Sequence, residues 1–366
     1  MFNAIVKLLF SSSKKNLKPN YAFFEDSNKS AQESKKEALA ELQASIKSNK
    51  LNFTSIEEIH QKEFYDFLFG QSPPTEQHDE LSLYVSKKIE KLLSTPKHIL
   101  EALPLLPLSL TKVIEQLNDK EFDAEVLIEL ILKEPIIAVK VIELANSSYY
   151  NRSNKKITDL KSAFMLLGAN GLMEGVVNGF VNKLAPQSKV YFQQYGNKIW
   201  QHCFTTGVIA KKLIKKSPYK QDSAQGYFIG LICNLGDMII YQLLMETFAY
   251  VHPDCQPNSF AFKDVMLKNS KRITYYIAKH WDLPSSILDA LALQEKLTKS
   301  SMLPLAFRKR PIACYIYEAN ILSELELRLE NREIDKDTLD EVKSSLVFSD
   351  EAKQYLDTLF SRKSLS

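Results

Sequence analysis

Apolar residues recur along this chain at helical spacing. Leu110, Val113, Ile114 and Leu117 fall at i, i+3, i+4 and i+7, which predicts a helix with one buried face. Ile56, Ile59, Phe64, Phe67 and Leu68 predict an earlier short helix, stopped by Gly70-Gln71-Ser72-Pro73-Pro74. Another is predicted over Leu81–Leu93, and a further one over Ala38–Ile46. Residues 11–37, rich in Ser, Lys and Asn, read as a linker. Leu103-Pro104-Leu105-Leu106-Pro107-Leu108 reads as extended, because each proline biases its predecessor away from helix. Helices are then predicted over 124–133, from Glu134-Pro135 through Ser147, from a Thr158-Asp159 cap to Gly168, and from an Asn170 cap through Phe180. The pattern continues over 196–216, 224–232, 273–281, 284–293, 312–329, 338–346 and 352–360. Strand-type alternation is absent, so the predicted fold class is all-α with short connections.

One stretch breaks its own pattern. Phe228–Leu244 is apolar except at Cys233-Asn234-Leu235-Gly236-Asp237, so it holds either a helix-to-helix turn or a site built into a core. Composition adds little: 45% of the 366 residues are hydrophobic and 25% charged, as in ordinary globular proteins. The net charge of +3 is unevenly spread. Residues 140–220 hold 13 Lys or Arg against 3 Asp or Glu, and residues 318–366 hold 7 against 12. A basic middle segment could meet nucleic acid or an acidic partner. Its lysines punctuate apolar helices without interleaved aromatics, so a solvated helix surface is expected and nucleic acid is not. The cysteines at 203, 233, 255 and 314 form no CxxC, which fits a reducing cytoplasm and predicts a cytoplasmic location. No run of about 18 apolar residues predicts a transmembrane segment. MFNAIVKLLFSSSKK lacks the marks of a signal peptide, and residues 2–10 are expected to dock on the protein's own core. No phosphate loop, dinucleotide fingerprint or nucleophile elbow occurs.

From Leu103 the motifs acquire an order. Leu103-Pro104-x-x-Pro107 is followed by Leu117-Asn118-Asp119, Leu144-Ala145-Asn146-Ser147-x-x-Tyr150 and Ala163-x-x-Leu166-Leu167-Gly168. Then come Trp200-x-His202, Gly230-Leu231-x-Cys233-Asn234-x-Gly236 and Trp281-x-Leu283-Pro284. In this order they resemble the HD-related output domain, HDOD, a bacterial signalling module related to the HD phosphohydrolases. The resemblance covers roughly Leu103–Glu295. It implies an HD-like helical bundle over 96–295, with an N-terminal helical extension over 1–95 and a C-terminal helical segment over 296–366.

The resemblance also implies where a metal would sit. An HD enzyme holds its ion with a His, then an adjacent His-Asp pair, then a distant Asp, because such ligands activate a bound water. The first His corresponds to His202. The pair falls on Cys233-Asn234, and the last Asp falls on Asn320. A thiol and two amides do not replace hard carboxylate ligands. These positions are therefore expected to be vestigial, with no metal, no cofactor and no catalysis. Asp237, Gln294 and Glu295 are candidate lining residues of the vacated pocket, Asp237 otherwise being expected at a cap or the surface. Asn234 is expected to satisfy backbone groups at its turn, and Asn146-Ser147 to close a helix end. The implied function is a regulatory, signal-transduction module that works through a protein partner, with room for a small ligand in the old metal pocket. The alternative is a divergent metal-dependent phosphohydrolase using Glu295 or Glu318 as substitute ligands. A soft zinc site from His202, Cys233 and either Cys203 or Cys314 is a third, less favoured arrangement. Oligomeric state is open.

Overall fold

The computed structural model describes residues 55–363 apart from 72–79, 105, 117–122, 148–149, 153–155, 185–189, 252–259, 332–333 and 335. The helix expected at Ala38–Ile46, the linker before it, residues 2–10 and Asn118-Asp119 lie outside the described residues. No strand occurs among the described residues, and the fold is all-α. In chain order the helices are α1 (Ile56–Phe69), α2 (Glu80–Ser94), α3 (Lys97–Glu101), α4 (Leu108–Gln116), α5 (Ala124–Leu132) and α6 (Pro135–Ala145). They continue as α7 (Leu160–Leu184), α8 (Val190–Lys216), α9 (Ser223–Ile232), α10 (Leu235–Val251) and α11 (Phe260–His280). The last are α12 (Ser285–Lys296), α13 (Leu303–Lys309), α14 (Pro311–Glu330), α15 (Lys336–Ser345) and α16 (Asp350–Lys363).

The local chemistry explains most boundaries. Ser55 caps α1 by accepting from the Glu58 N–H, Asp123 caps α5 through the Val126 N–H, and Pro135 opens α6 where its missing N–H costs nothing. Gly70 closes α1 with φ 85°. Thr158-Asp159 begins α7 as expected, Asp159 accepting from the Ser162 N–H. Gly168 does not end that helix pair with a loop. The chain turns there through a single residue at φ 67° and continues to Leu184. Helix α11 starts 13 residues before the periodicity suggests. Its early buried residues Phe262, Val265 and Met266 have helical spacing, but the intervening Lys263 and Asp264 mask the stripe in the sequence.

Helices α9 and α10 form the centre, almost wholly buried from Gly226 to Met245. Helix α8 packs against α9 and α14, α10 against α11, and α6 against α7. The α8–α9 crossing is close because two glycines face each other. A Cβ on Gly230 would stand 2.9 Å from the Gly207 Cα and 3.0 Å from the Thr206 carbonyl oxygen. This contact brings the middle of α8, with His202, beside the turn at Cys233. Leu160–Asn182 and Lys220–Thr247 are long and apolar enough to cross a membrane by composition alone, but both are mostly buried inside the protein.

Asn146 does more than close α6. Its Nδ2 donates to the Ile142 and Ile157 carbonyls at 2.9 and 2.7 Å, and its Oδ1 accepts from the Ile157 N–H at 2.8 Å. The side chain thereby ties the end of α6 to the segment entering α7. Asn146→Ala is expected to cost about 1–3 kcal/mol, since it leaves a backbone N–H and carbonyl without their partner. Urea unfolding midpoints at pH 7.5 measure this, and an unchanged midpoint would contradict it.

Candidate functional site

His202 is buried on α8 and faces α14 and α1. The Ser323 hydroxyl donates to the His202 carbonyl at 3.2 Å, and the same oxygen lies 3.0 Å from ring Nδ1. Nε2 lies 3.9 Å from Glu324 Oε1, and the Phe64 ring packs on the imidazole with centroids 4.6 Å apart. Burial drives the His202 pKa down to about 4, against the pull of Glu324, so the ring is neutral.

The α9–α10 turn supplies the next groups. Thr274 on α11 stitches it, its hydroxyl accepting from the Gly236 N–H at 2.8 Å and donating to the Cys233 carbonyl at 3.3 Å. Cys233 donates its thiol to the Gly230 carbonyl, and burial pushes that thiol up to about 12. Asn234 turns inward. Its Nδ2 donates to Asn320 Oδ1 at 2.7 Å, and Asn320 Nδ2 donates to Glu324 Oε1 at 2.7 Å. The other Glu324 oxygen lies 2.9 Å from His60 Nε2. Burial alone would raise the Glu324 pKa, but the His60 hydrogen bond and the nearby Lys271 outweigh it and hold the carboxyl below its usual range.

Asp237 is 7% exposed and accepts from the Tyr65 hydroxyl at 2.6 Å. Burial pushes its pKa up to about 6, opposed by the Tyr65 and Ser270 hydrogen bonds. Lys271 completes the set. Burial lowers its pKa, Glu324, Cys233 and Asp237 oppose that, and its Nζ stands 5.7 Å from the Tyr317 ring centre. His202, Asn234, Asp237, Lys271, Asn320 and Glu324 line a cavity of about 20 Å³, enough for roughly one water.

This arrangement can be set beside known proteins. A family model described as HDOD domain matches residues 103–297. The chain belongs to the HDOD domain family. It is 18% identical over 220 residues to an uncharacterized protein of Treponema pallidum (strain Nichols), spanning 59% of this chain but only 42% of that relative. An HDOD domain protein of unknown function from Geobacter sulfurreducens has a similar fold, with a TM-score of 0.53 and 19% identity over 76% of this chain and 96% of that one. A protein of Shewanella amazonensis SB2B, provisionally named a phosphohydrolase, matches at a TM-score of 0.48 and 16% identity, covering 73% and 91% of the two chains.

Of the four positions that the motif order singled out, His202, Asn234 and Asn320 line the cavity, while the Cys233 side chain is turned away to the Gly230 carbonyl. The donors do not fit a divalent ion of the HD type. Cys233 is a neutral thiol turned to a carbonyl, Asn234 and Asn320 are bonded to each other, and Glu324 is taken up by Asn320 and His60. Among the described residues no group of three or more His, Cys, Asp or Glu is arranged to hold a metal. For the soft zinc arrangement, the Cys233 thiol would have to leave the Gly230 carbonyl to which it donates.

Several expectations need correction. Asp237 is neither a surface nor a capping residue, because Tyr65 from a distant helix covers it. Asn234 satisfies Asn320, not backbone groups at its turn. Gln294 is buried but does not line the cavity, since it donates to the Ala290 and Ala313 carbonyls and clamps α12 to α14. Glu295 is exposed on the outer face of α12. Glu318, the other proposed substitute ligand, accepts from the Phe348 and Ser349 N–H groups at 2.6 and 2.8 Å and anchors the start of α16. His60, Tyr65, Lys271 and Glu324 were not foreseen. Only Glu324 left a trace in the sequence, one helical turn after Asn320 on the same face of α14.

Proposed function

We propose that this HDOD protein is a non-catalytic regulatory module that works by presenting its helical surfaces to a protein partner. The observation that carries this is the Asn234–Asn320 amide pair, standing where an HD enzyme would have two carboxylates. Two amides bonded to each other supply no anionic ligand and activate no water. The cavity of about 20 Å³ leaves no space for a nucleotide while α1 is seated. A small-ligand role for the old pocket therefore requires that helix to move.

The test is metal analysis of full-length protein purified without chelators, with bis(p-nitrophenyl) phosphate as the turnover probe. Metal well below one equivalent and turnover at background are expected. Stoichiometric Mn, Fe or Zn, with turnover that His202→Ala removes, would establish the divergent phosphohydrolase instead.

A further inference from the structure

Helix α1 lies outside the residues matched by the family model, yet it closes the mouth of the site. Its buried residues His60, Phe64, Phe67 and Leu68 recur at i, i+4, i+7 and i+8, the spacing of a helix laid into a groove. Phe64 packs on His202, Tyr65 bonds Asp237 and His60 meets Glu324. Polar pairs flank these anchors, with Glu63 and Asp66 partly exposed and their partners Arg328 and Lys263 buried. Glu57 accepts from the Ser300 N–H at 2.6 Å, Glu63 pairs with Arg328 at 3.0 Å, and Asp66 pairs with Lys263 at 2.5 Å. The outward side of the helix shows Glu58, Lys62 and Ile59, the last 46% exposed.

Aromatic anchors flanked by charged pairs are a pattern that a helix-in-groove interface also shows. The groove offers a distinctive set of complements: a carboxylate for an imidazole, a carboxylate for a phenol, and an imidazole face for a phenyl ring. We propose that α1 is an exchangeable occupant of this groove, bound in cis, and that the groove is the surface at which the module takes up a helix with the same His and aromatic anchors. This rests on the regulatory reading of the site and names the kind of partner that reading lacks.

Hydrogen exchange of the full-length protein decides whether α1 leaves. The amides of α1 are expected to exchange at least 100-fold faster than those of α9 and α10, through an opening that leaves the core protected. Exchange of α1 only in step with α9 and α10 would overturn the proposal. A fluorescent peptide of residues 55–70 then probes the groove in trans. The full-length double variant Glu63→Lys/Asp66→Lys loses the pairs to Arg328 and Lys263 and none of the His60, Phe64 or Tyr65 contacts. It is expected to bind the peptide at least tenfold more tightly than wild type, and to lose binding when the peptide carries Phe64→Ala and Tyr65→Ala. No difference between variant and wild type, or equal binding of the altered peptide, would also overturn it. Stoichiometric metal with turnover would remove the regulatory reading without moving either readout, so the two failures are distinguishable.

Discussion

Gly236→Ala is expected to be the most damaging single methyl added to this protein. A Cβ at that position would stand 1.9 Å from the Ser270 carbonyl oxygen and 2.6 Å from its carbonyl carbon. Both are backbone atoms in the middle of α11, so relief requires α10 and α11 to separate. Separation also stretches the Gly236 N–H to Thr274 bond and the Asp237 environment behind it. We expect a loss of about 3 kcal/mol or more, at the upper end for overpacking, because no side-chain rotation absorbs the clash. Gly226→Ala is the informative control. Its Cβ would meet Ile214 Cδ1 at 2.2 Å, also far inside contact distance, but that atom is the free end of a flexible side chain. That variant is expected to lose only about 1 kcal/mol. Urea unfolding of both variants measures the difference, and equal losses would refute the distinction between backbone and side-chain clashes.

Asp237→Asn is expected to raise stability at pH 7.5, with the gain shrinking toward zero by pH 4. The folded carboxyl titrates at about 6 and the unfolded one near 3.8. Between those values the folded state holds the extra proton, so stability falls as pH rises through the window. Above pH 6 the buried charge costs about 3 kcal/mol. Asparagine keeps an acceptor for the Tyr65 hydroxyl and has no charge to bury. His202 works in the opposite sense. Its pKa falls from 6.5 to about 4 on folding, so the unfolded chain takes the proton first. Stability is lost as pH falls from 6.5 to 4, by about 3 kcal/mol. In the wild type the two slopes offset each other between pH 4 and 6. The variant leaves the His202 slope bare and should lose stability more steeply on acidification. Glu324 and Lys271 face both groups in either protein and cancel to first order in the comparison. Unfolding midpoints at pH 4, 5, 6 and 7.5 test this, and parallel curves for the two proteins would sink it.

What the sequence made legible follows from the range over which its patterns act. Helical spacing is a local property, and it located Ile56–Phe69, Leu108–Gln116 and Pro311–Glu330 to within a few residues. Ordered motifs carry family identity, and they pointed to His202, Asn234 and Asn320, which line one cavity, and to Cys233, which does not. What escaped were partners supplied from far along the chain. Asp237 has the look of a cap in any window around it, and its partners Tyr65, 172 residues earlier, and Ser270 on α11 make it a core residue. Nothing local to His60 announces that it meets Glu324. Gln294 and Glu295 show a subtler limit. Their spacing from the Trp281 motif was adequate, but adjacent residues on a helix point about 100° apart, so one is buried against α14 and the other meets solvent.

The seating of α1 also bears on whether this site could be turned back. Cys233→His, Asn234→Asp and Asn320→Asp would rewrite the three lost ligand positions. They would also set two carboxylates at the 2.7 Å spacing of the present amide pair, beside Glu324 and Asp237. Like charges so close repel unless a metal reaches them. Phe64 and Tyr65 of α1 occupy one wall of the cavity there, Phe64 against His202 and Tyr65 on Asp237. Each reversion is therefore harmful while α1 stays, and removing α1 strips Glu324 and Asp237 of their partners. The arrangement behaves as a ratchet, in which chemistry and cover must be regained together.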